Sequence, residues 1–284
     1  MFNIKYNITI ENIQILRGFM KRIICTVVSL LILVSFSGCG SKKISEEEFN
    51  KMTPITDKQI SDLYSDPKSF AGERFDFTGS VLSVETKDGT TYLQVWQDPT
   101  NYEHNTIVVY EGDLVVAEDD YVKISGIVEG EYKGQNAFGG TVSAPRVIAR
   151  SCEVIDYMQA VAPATATIEV NQSQDQNGVV ITIQKVEFSK IETRVYVTVK
   201  NNSAYTASYY AFNSVITQGS NQYDEETNYE YDDFDGTILS GIEISGIVTF
   251  PVIDAQNGPI NIQMEAYSDN WRLDFNPYVF ANIQ

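Results

Sequence analysis

Basic residues, histidine and cysteine are scarce in this chain. Lys and Arg together number 20 against 38 Asp and Glu, a net charge of −18. A field of that sign repels polyphosphate, so nucleic acid is excluded as a partner. An anionic bilayer or wall polymer would need a bridging cation to approach it. There is one histidine, His104, in the polar stretch Asn101-Tyr102-Glu103-His104-Asn105, and there are three cysteines. Ser-His-Asp hydrolysis and His/Cys zinc sites therefore have almost no raw material. No apolar run reaches spanning length: the longest, Ile23 to Phe36, has fourteen residues, and a transmembrane helix needs about 20. Acids are plentiful, yet nothing marks the facing pair that a glycosidase requires. The expectation is a chain that is not an enzyme.

What is present begins with that short apolar run. Lys21-Arg22 precedes it, and Val34-Ser35-Phe36-Ser37-Gly38-Cys39 closes it, followed by Gly40-Ser41-Lys42-Lys43. A basic start, an apolar stretch, small residues and a cysteine have the form of a bacterial lipoprotein signal. Phe36 departs from the leucine usual three places before the cysteine. Met20 reads as the true start, because Arg17-Gly18 can be encoded by a purine-rich stretch at ribosome-binding distance from its codon. Residues 1–38 are assigned to the signal peptide, with 1–19 untranslated if Met20 is the start, and Cys39 is the lipidation site, carrying diacylglycerol. Cleavage leaves residues 39–284 with 16 basic and 37 acidic residues. The expected location is the extracytoplasmic face of the cell membrane, held by the lipid. Cys25 departs with the signal, so an acylated Cys39 leaves Cys152 without a disulfide partner. Cys152 sits in an alternating stretch and reads as a small buried apolar residue.

Residues 39–55 are polar and acidic, with Glu46-Glu47-Glu48, and read as a tether. One helix follows. Thr56 and Gln59 have capping-box spacing, Ile55 and Ile60 occupy staple positions, Ile60, Leu63 and Tyr64 share a face, and Pro67 stops it. From Arg74 the period changes to two. Strands are expected over Arg74–Val84 with a bend or bulge at Gly79, Tyr92–Trp96, Ile107–Tyr110, Tyr121–Val128 and Pro145–Ile155, with Asp88-Gly89 as a hairpin turn. Five strands in so few residues suggest a small closed barrel.

The stretch Asp120-Tyr121-Val122-Lys123-Ile124-Ser125-Gly126-Ile127-Val128-Glu129-Gly130 is similar to the fourth strand of OB-fold domains. Tyr132-Lys133-Gly134-Gln135-Asn136-Ala137-Phe138-Gly139-Gly140 and Ser143-Ala144-Pro145 resemble the loop and final strand entry of OB-like modules in secreted Gram-positive lipoproteins. The resemblance covers residues 56–157 and implies a five-stranded OB-like barrel with one preceding helix. Residues 158–166 form a small-residue linker.

The second half reads as β throughout. Strands are expected over Val179–Ile183, Val186–Lys190 after a bend, Arg194–Lys200, Ser208–Thr217, Gly241–Phe250, Ile260–Tyr267 and Trp271–Phe275. Tyr196-Val197-Thr198-Val199-Lys200-Asn201-Asn202-Ser203 and Leu239-Ser240-Gly241-Ile242-Glu243-Ile244-Ser245-Gly246-Ile247-Val248-Thr249-Phe250-Pro251-Val252 resemble the DUF4352 family of bacterial surface lipoproteins. This implies an immunoglobulin-like β-sandwich over residues 167–284 and a surface location, and no activity. The fold class is thus all-β, a barrel and then a sandwich.

Two candidate sites follow. If Leu93 and Val95 pack inward, Tyr92, Gln94 and Trp96 face out on one strand, where exposed aromatics stack on a sugar ring or a peptide side chain. The competing reading has the same residues covered by a helix or loop. The second is the acidic stretch Tyr223 to Gly236. Asp232, Asp233 and Asp235 are hard oxygen ligands suited to Ca²⁺, although an EF-hand register would place Tyr231 and Ile242 at ligand positions. The ordinary alternative is a solvated loop, and a third is a protein-contact loop whose tyrosines anchor a basic partner. No other cofactor is implied. The functional expectation is a non-catalytic binding or adaptor module for a protein, peptide or glycan at the envelope. A structural spacer is the first alternative and a wall hydrolase the second.

Overall fold

The computed structural model describes residues 44–135, 140–232, 234 and 236–284. Cys39, Asp233 and Asp235 lie outside the described residues. The architecture is all-β with several sheets and a few short helices, divided into two bodies at Asp156/Tyr157.

In the first body, α1 (Glu46–Lys51) leads to a 3₁₀ turn (Asp57–Gln59), α2 (Ile60–Ser65) and a second 3₁₀ turn (Pro67–Phe70). Gln59 Oε1 accepts from Thr56 N at 3.0 Å and from Thr56 Oγ1 at 2.7 Å, which fixes the start of the helical segment. Leu63 is fully buried, and Ile55, Ile60, Tyr64 and Phe70 pack on the same core. Within the tether expected over residues 39–55, Glu46–Lys51 is helical. Ser45 and Glu48 form a reciprocal capping box, and Phe49 is buried.

Five strands close a barrel in the order β1-β2-β3-β5-β4: β1 (Arg74–Lys87), β2 (Thr90–Asp98), β3 (Glu103–Glu111), β4 (Tyr121–Gln135) and β5 (Thr141–Ile155). The β3–β5 pair is parallel and all others are antiparallel. Alternate residues fill the interior, among them Phe75, Phe77, Val81, Leu93, Val95, Val108, Val122, Ile124 and Val147. Each such side chain contributes about 1.5–3 kcal/mol by leaving water. Asp88 (φ 52°) and Gly89 (φ 79°) make the tight hairpin turn that the Asp-Gly pair favours. Gly79 is not the bulge. It stays in register with Val122, and a Cβ there would lie 2.6 Å from Val95 Cγ1, so it marks a close approach. The register slips two residues later, between Val81 and Ser83.

The second body starts with a helical turn, α3 (Tyr157–Ala160), that runs into the segment 158–166 expected to be a linker. Its strands are β6 (Ala166–Gln176), β7 (Val179–Phe188), β8 (Thr193–Asn201), β9 (Ala207–Tyr209), β10 (Val215–Gln218), β11 (Asn221–Asp224), β12 (Gly236–Ile238), β13 (Glu243–Phe250), β14 (Ile260–Met264), β15 (Ala266–Ser268) and β16 (Tyr278–Ile283). They form sheets β13-β8-β7-β6, β11-β10-β14-β16 and β12-β9-β15 around one core of Val, Ile and aromatic residues. The bend before Val186 is a register shift between Ile183 and Lys185. Ser208–Thr217 is two short strands split by a 3₁₀ turn (Ala211–Asn213). Trp271–Phe275 is no strand: Trp271 lies in a turn and is 82% exposed, and the last strand is β16.

Candidate functional site

Leu93 and Val95 point into the barrel, so Tyr92, Gln94 and Trp96 lie on its outer face, beside Ile107 and Asn105 of β3. That face is partly covered. Tyr92 and Trp96 are half-buried, Ile107 is 2% exposed and Gln94 is 1% exposed. Gln94 Oε1 has only a long contact from Ser83 Oγ at 3.5 Å. Among the described residues, Gln94 Nε2 and Asn105 Oδ1 are buried side-chain atoms with no hydrogen-bond partner. Gln94 pairs with Ile107 and Trp96 with Asn105, so the two orphans occupy diagonal positions on one sheet face. One is a donor and the other an acceptor. Leaving such groups unpaired costs about 1–3 kcal/mol each.

The adjoining end of β3 is held tightly. His104 stacks on Tyr64 of α2 with ring centroids 4.4 Å apart and 18° between planes, and its Nδ1 lies 3.0 Å from Gln97 Oε1. Tyr64 OH and Thr106 Oγ1 share a 2.5 Å hydrogen bond. Burial pushes the Tyr64 hydroxyl well above the usual phenol range, against the opposing effect of Thr106. Tyr102 (φ 56°) and His104 (φ 61°) are non-glycine residues in the left-handed region at this end of β3, where alternation puts His104 and Thr106 on the side of Val95 rather than of Gln94. Backbone strain of this kind gathers at functional sites. The lone histidine is thus a stacking and hydrogen-bonding piece of the β2–β3 end.

In the acidic stretch, Asp232 is exposed; Asp233 and Asp235 lie outside the described residues. No group of three or more metal-ligating side chains is found among the described residues. The aromatics between the acids mostly turn inward. Phe234 stacks on Tyr209 at 5.3 Å, Tyr223 packs against the core, and only Tyr229 is well exposed at 57%. Tyr231 OH donates to Glu192 Oε1.

That bond belongs to a cluster that the sequence did not signal. Arg194, with its side chain 1% exposed, bonds Glu187 Oε2 through Nε (3.2 Å) and Nη2 (2.9 Å). Its Nη1 reaches Glu192 Oε1 (2.9 Å) and Ala162 O (2.7 Å). Glu187 also accepts from Lys185 Nζ (2.5 Å) and Tyr196 OH (2.9 Å), and Glu192 Oε2 accepts from Asn228 Nδ2 (2.7 Å). Burial alone would raise the Glu187 carboxyl, but the bonds from Lys185, Tyr196 and Arg194 outweigh it and hold it below the usual carboxylate range. Arg194 and Glu187 face each other across β7 and β8 on the side away from the core valines. Residues 157–162 and the loop after β11 are tied down there. Every ionised group in the cluster has a partner, which is the pattern of a structural clamp.

On the outside of β1, β4 and β5, α1 walls a groove lined by Arg74, Asp76, Lys123, Ser125, Arg150 and Glu153. Arg74 holds Asp76 in two bonds (2.6 and 3.0 Å), and Ser125 Oγ donates to Asp76 Oδ1 at 2.5 Å. Cys152 is buried in the core, and burial pushes its thiol up to about 11, so it is not a reactive group at neutral pH. Among the described residues no helix is long and apolar enough to cross a membrane.

No protein-family model and no curated protein matches the chain. Among solved structures, the chain is similar to a functionally unknown protein from Listeria monocytogenes EGD-e, at 13% identity and a TM-score of 0.33, covering 42% of this chain and 86% of the other. It is also similar to the yjhA protein from Bacillus subtilis, at 14% identity and a TM-score of 0.31, covering 39% of this chain and 95% of the other.

Proposed function

We propose that this chain is a lipid-anchored, extracytoplasmic binding module without catalytic activity, acting on a protein, peptide or glycan at the cell envelope. The leader ending at Cys39 supports the anchor. The closed order β1-β2-β3-β5-β4 supports an OB-like barrel, and the facing four-stranded sheets of the second body support an immunoglobulin-like domain of the DUF4352 kind. OB-like barrels take ligands on the face of their second and third strands.

The observation that carries binding is the orphan pair on that face. A secondary amide has a carbonyl to accept from Gln94 Nε2 and an N–H to donate to Asn105 Oδ1. Peptides and N-acetylated sugars both present that group, and Tyr92 and Trp96 flank it with ring surface. Binding requires the cover over Gln94 to open. The burial of Gln94 favours the second reading, a structural spacer in an envelope complex.

Calorimetric titration with an N-acetylglucosamine tetramer and with an alanine tetrapeptide separates the two. A binding module takes up one of them, and Trp96→Ala and Gln94→Met each weaken it at least tenfold, about 1.4 kcal/mol. No uptake of either leaves the spacer. Cys39→Ala should release the mature protein from the membrane fraction, and unchanged partitioning refutes the anchor.

A further inference from the structure

The length of chain between the anchor and the first body is short, because α1 is fastened to the barrel. Phe49 is 5% exposed, and two guanidinium groups lie over its ring, Arg74 at 4.6 Å and Arg150 at 4.9 Å from the centroid. Arg74 Nη1 donates to Phe49 O at 3.4 Å, and Arg150 Nη2 donates to Ile44 O. Arg74 is itself held by Asp76. The backbone is therefore fixed to β1 and β5 from Ile44 onward. From Cys39 to Ile44 there are five peptide steps, which span at most about 18 Å when fully extended. Without the Phe49 clamp the next fixed point is Ile55, whose N–H donates to Arg74 O at 2.8 Å. The free chain would then have sixteen steps.

We infer that α1 is a clamp that holds the barrel on a five-residue leash, with the side built by α1 and β5 turned to the bilayer surface. This rests on the proposed acylation of Cys39. The leash sets the distance, since adhesion is opposed by charge. Glu46, Glu47 and Glu48 sit on α1, and the chain carries a large negative excess. A consequence is that the barrel works close to the lipid headgroups, where a ligand attached to the membrane or to the innermost wall is within reach.

The test uses the lipidated mature chain in vesicles of phosphatidylcholine and phosphatidylglycerol. A fluorophore is placed through Glu153→Cys, an exposed site on β5, and the buried Cys152 thiol does not compete for the label. A lipid with a nitroxide on its headgroup quenches only near contact. The native leash should give strong quenching. A thirty-residue Gly-Ser insertion between Ser41 and Lys42, with an r.m.s. span of about 30 Å, should remove at least half of it. Phe49→Ala should act in the same direction by freeing α1, while the insertion leaves the folded body untouched. A chain that floats with vesicles but is quenched weakly, or equally with and without the insertion, overturns the leash and leaves the anchor standing. A chain that does not float, with Cys39→Ala behaving identically, removes the anchor itself.

Discussion

On the outer face of β2 and β3, Gln94 Nε2 and Asn105 Oδ1 are buried with no bonding partner among the described residues. On the outer face of β7 and β8, Arg194 is buried just as deeply, yet its guanidinium bonds two carboxylates and a carbonyl. Both faces contain buried polar groups, Gln94 on one and Arg194 on the other, and burial penalises both. The second body meets that penalty by completing the network, with Lys185, Tyr196, Tyr231 and Asn228 taking up the remaining carboxylate oxygens. A network that complete fixes geometry and leaves no valence for a ligand. The first body leaves a donor and an acceptor open, which is uncommon enough in native proteins to need a reason. The contrast is between a face whose polar groups are all paired and one that keeps two unpaired, and the proposed recognition rests on the second.

Cutting the completed network should have the largest effect. Arg194→Ala strands Glu187 and Glu192 without their shared partner and should cost about 3–5 kcal/mol in the second body. Hydrogen exchange of the β8 amides reads it, with β3 amides of the barrel as the internal control. Replacing Arg194, Glu187 and Glu192 together by Met and Leu should recover most of that loss, since buried ion clusters exchange for well-packed apolar groups at little net cost. If the triple variant is no better than Arg194→Ala, the cluster is not the closed unit described above.

Tyr231→Phe is milder. It removes one hydrogen bond to a charged acceptor, an effect of about 1.5–3 kcal/mol, and should loosen the loop after β11 before it loosens β8. Gln94→Met has the opposite sign. Removing a buried donor without a partner, at nearly constant shape, should stabilise the barrel by about 1 kcal/mol or more. A urea midpoint that falls instead would show that Gln94 is satisfied in solution, and the distinction between the two faces would be lost.

Much of this was legible in the sequence, and the misses have physical causes. The five barrel strands and the Asp88-Gly89 turn follow from period-two apolar residues and hairpin chemistry. β6 did not, because its second half, Asn171 to Gln176, is polar throughout: its glutamines reach over to the final segment, Gln174 Nε2 to Val279 O and Gln176 to the Asn276 backbone. The signal was nevertheless there in Asn177-Gly178, both at positive φ, which is the strongest short hairpin cue and demands a strand before β7. α1 was hidden by its three glutamates, although Ser45 and Glu48 have capping-box spacing. Of the candidate face, the side on which Tyr92, Gln94 and Trp96 lie was readable from alternation, but the covering of Gln94 was not. The Arg194 cluster had no local signal at all, since its members come from residue 157 to residue 231 and meet only through the pairing of β7 with β8.

Acid should sharpen the contrast with the smallest effect. Glu187 is held below its ordinary value of 4.5 by the bonds it accepts, after burial has offset part of their influence. A depressed carboxyl contributes stability that is fully present above its unfolded value and is lost as pH falls through the folded one. The second body should therefore weaken progressively below about pH 4.5 as Glu187 takes a proton and releases Lys185, Tyr196 and Arg194. Glu187→Gln removes that response: the variant starts less stable at neutral pH and loses less on acidification, as read by urea midpoints of the second body across the acid range. The orphan amides of the barrel do not titrate, so Gln94→Met should leave the barrel's own acid response, set by carboxyls such as Asp98 and Glu131, unchanged. An acid slope in the second body that Glu187→Gln does not flatten would place the titrating group elsewhere and reduce the cluster to a packing feature.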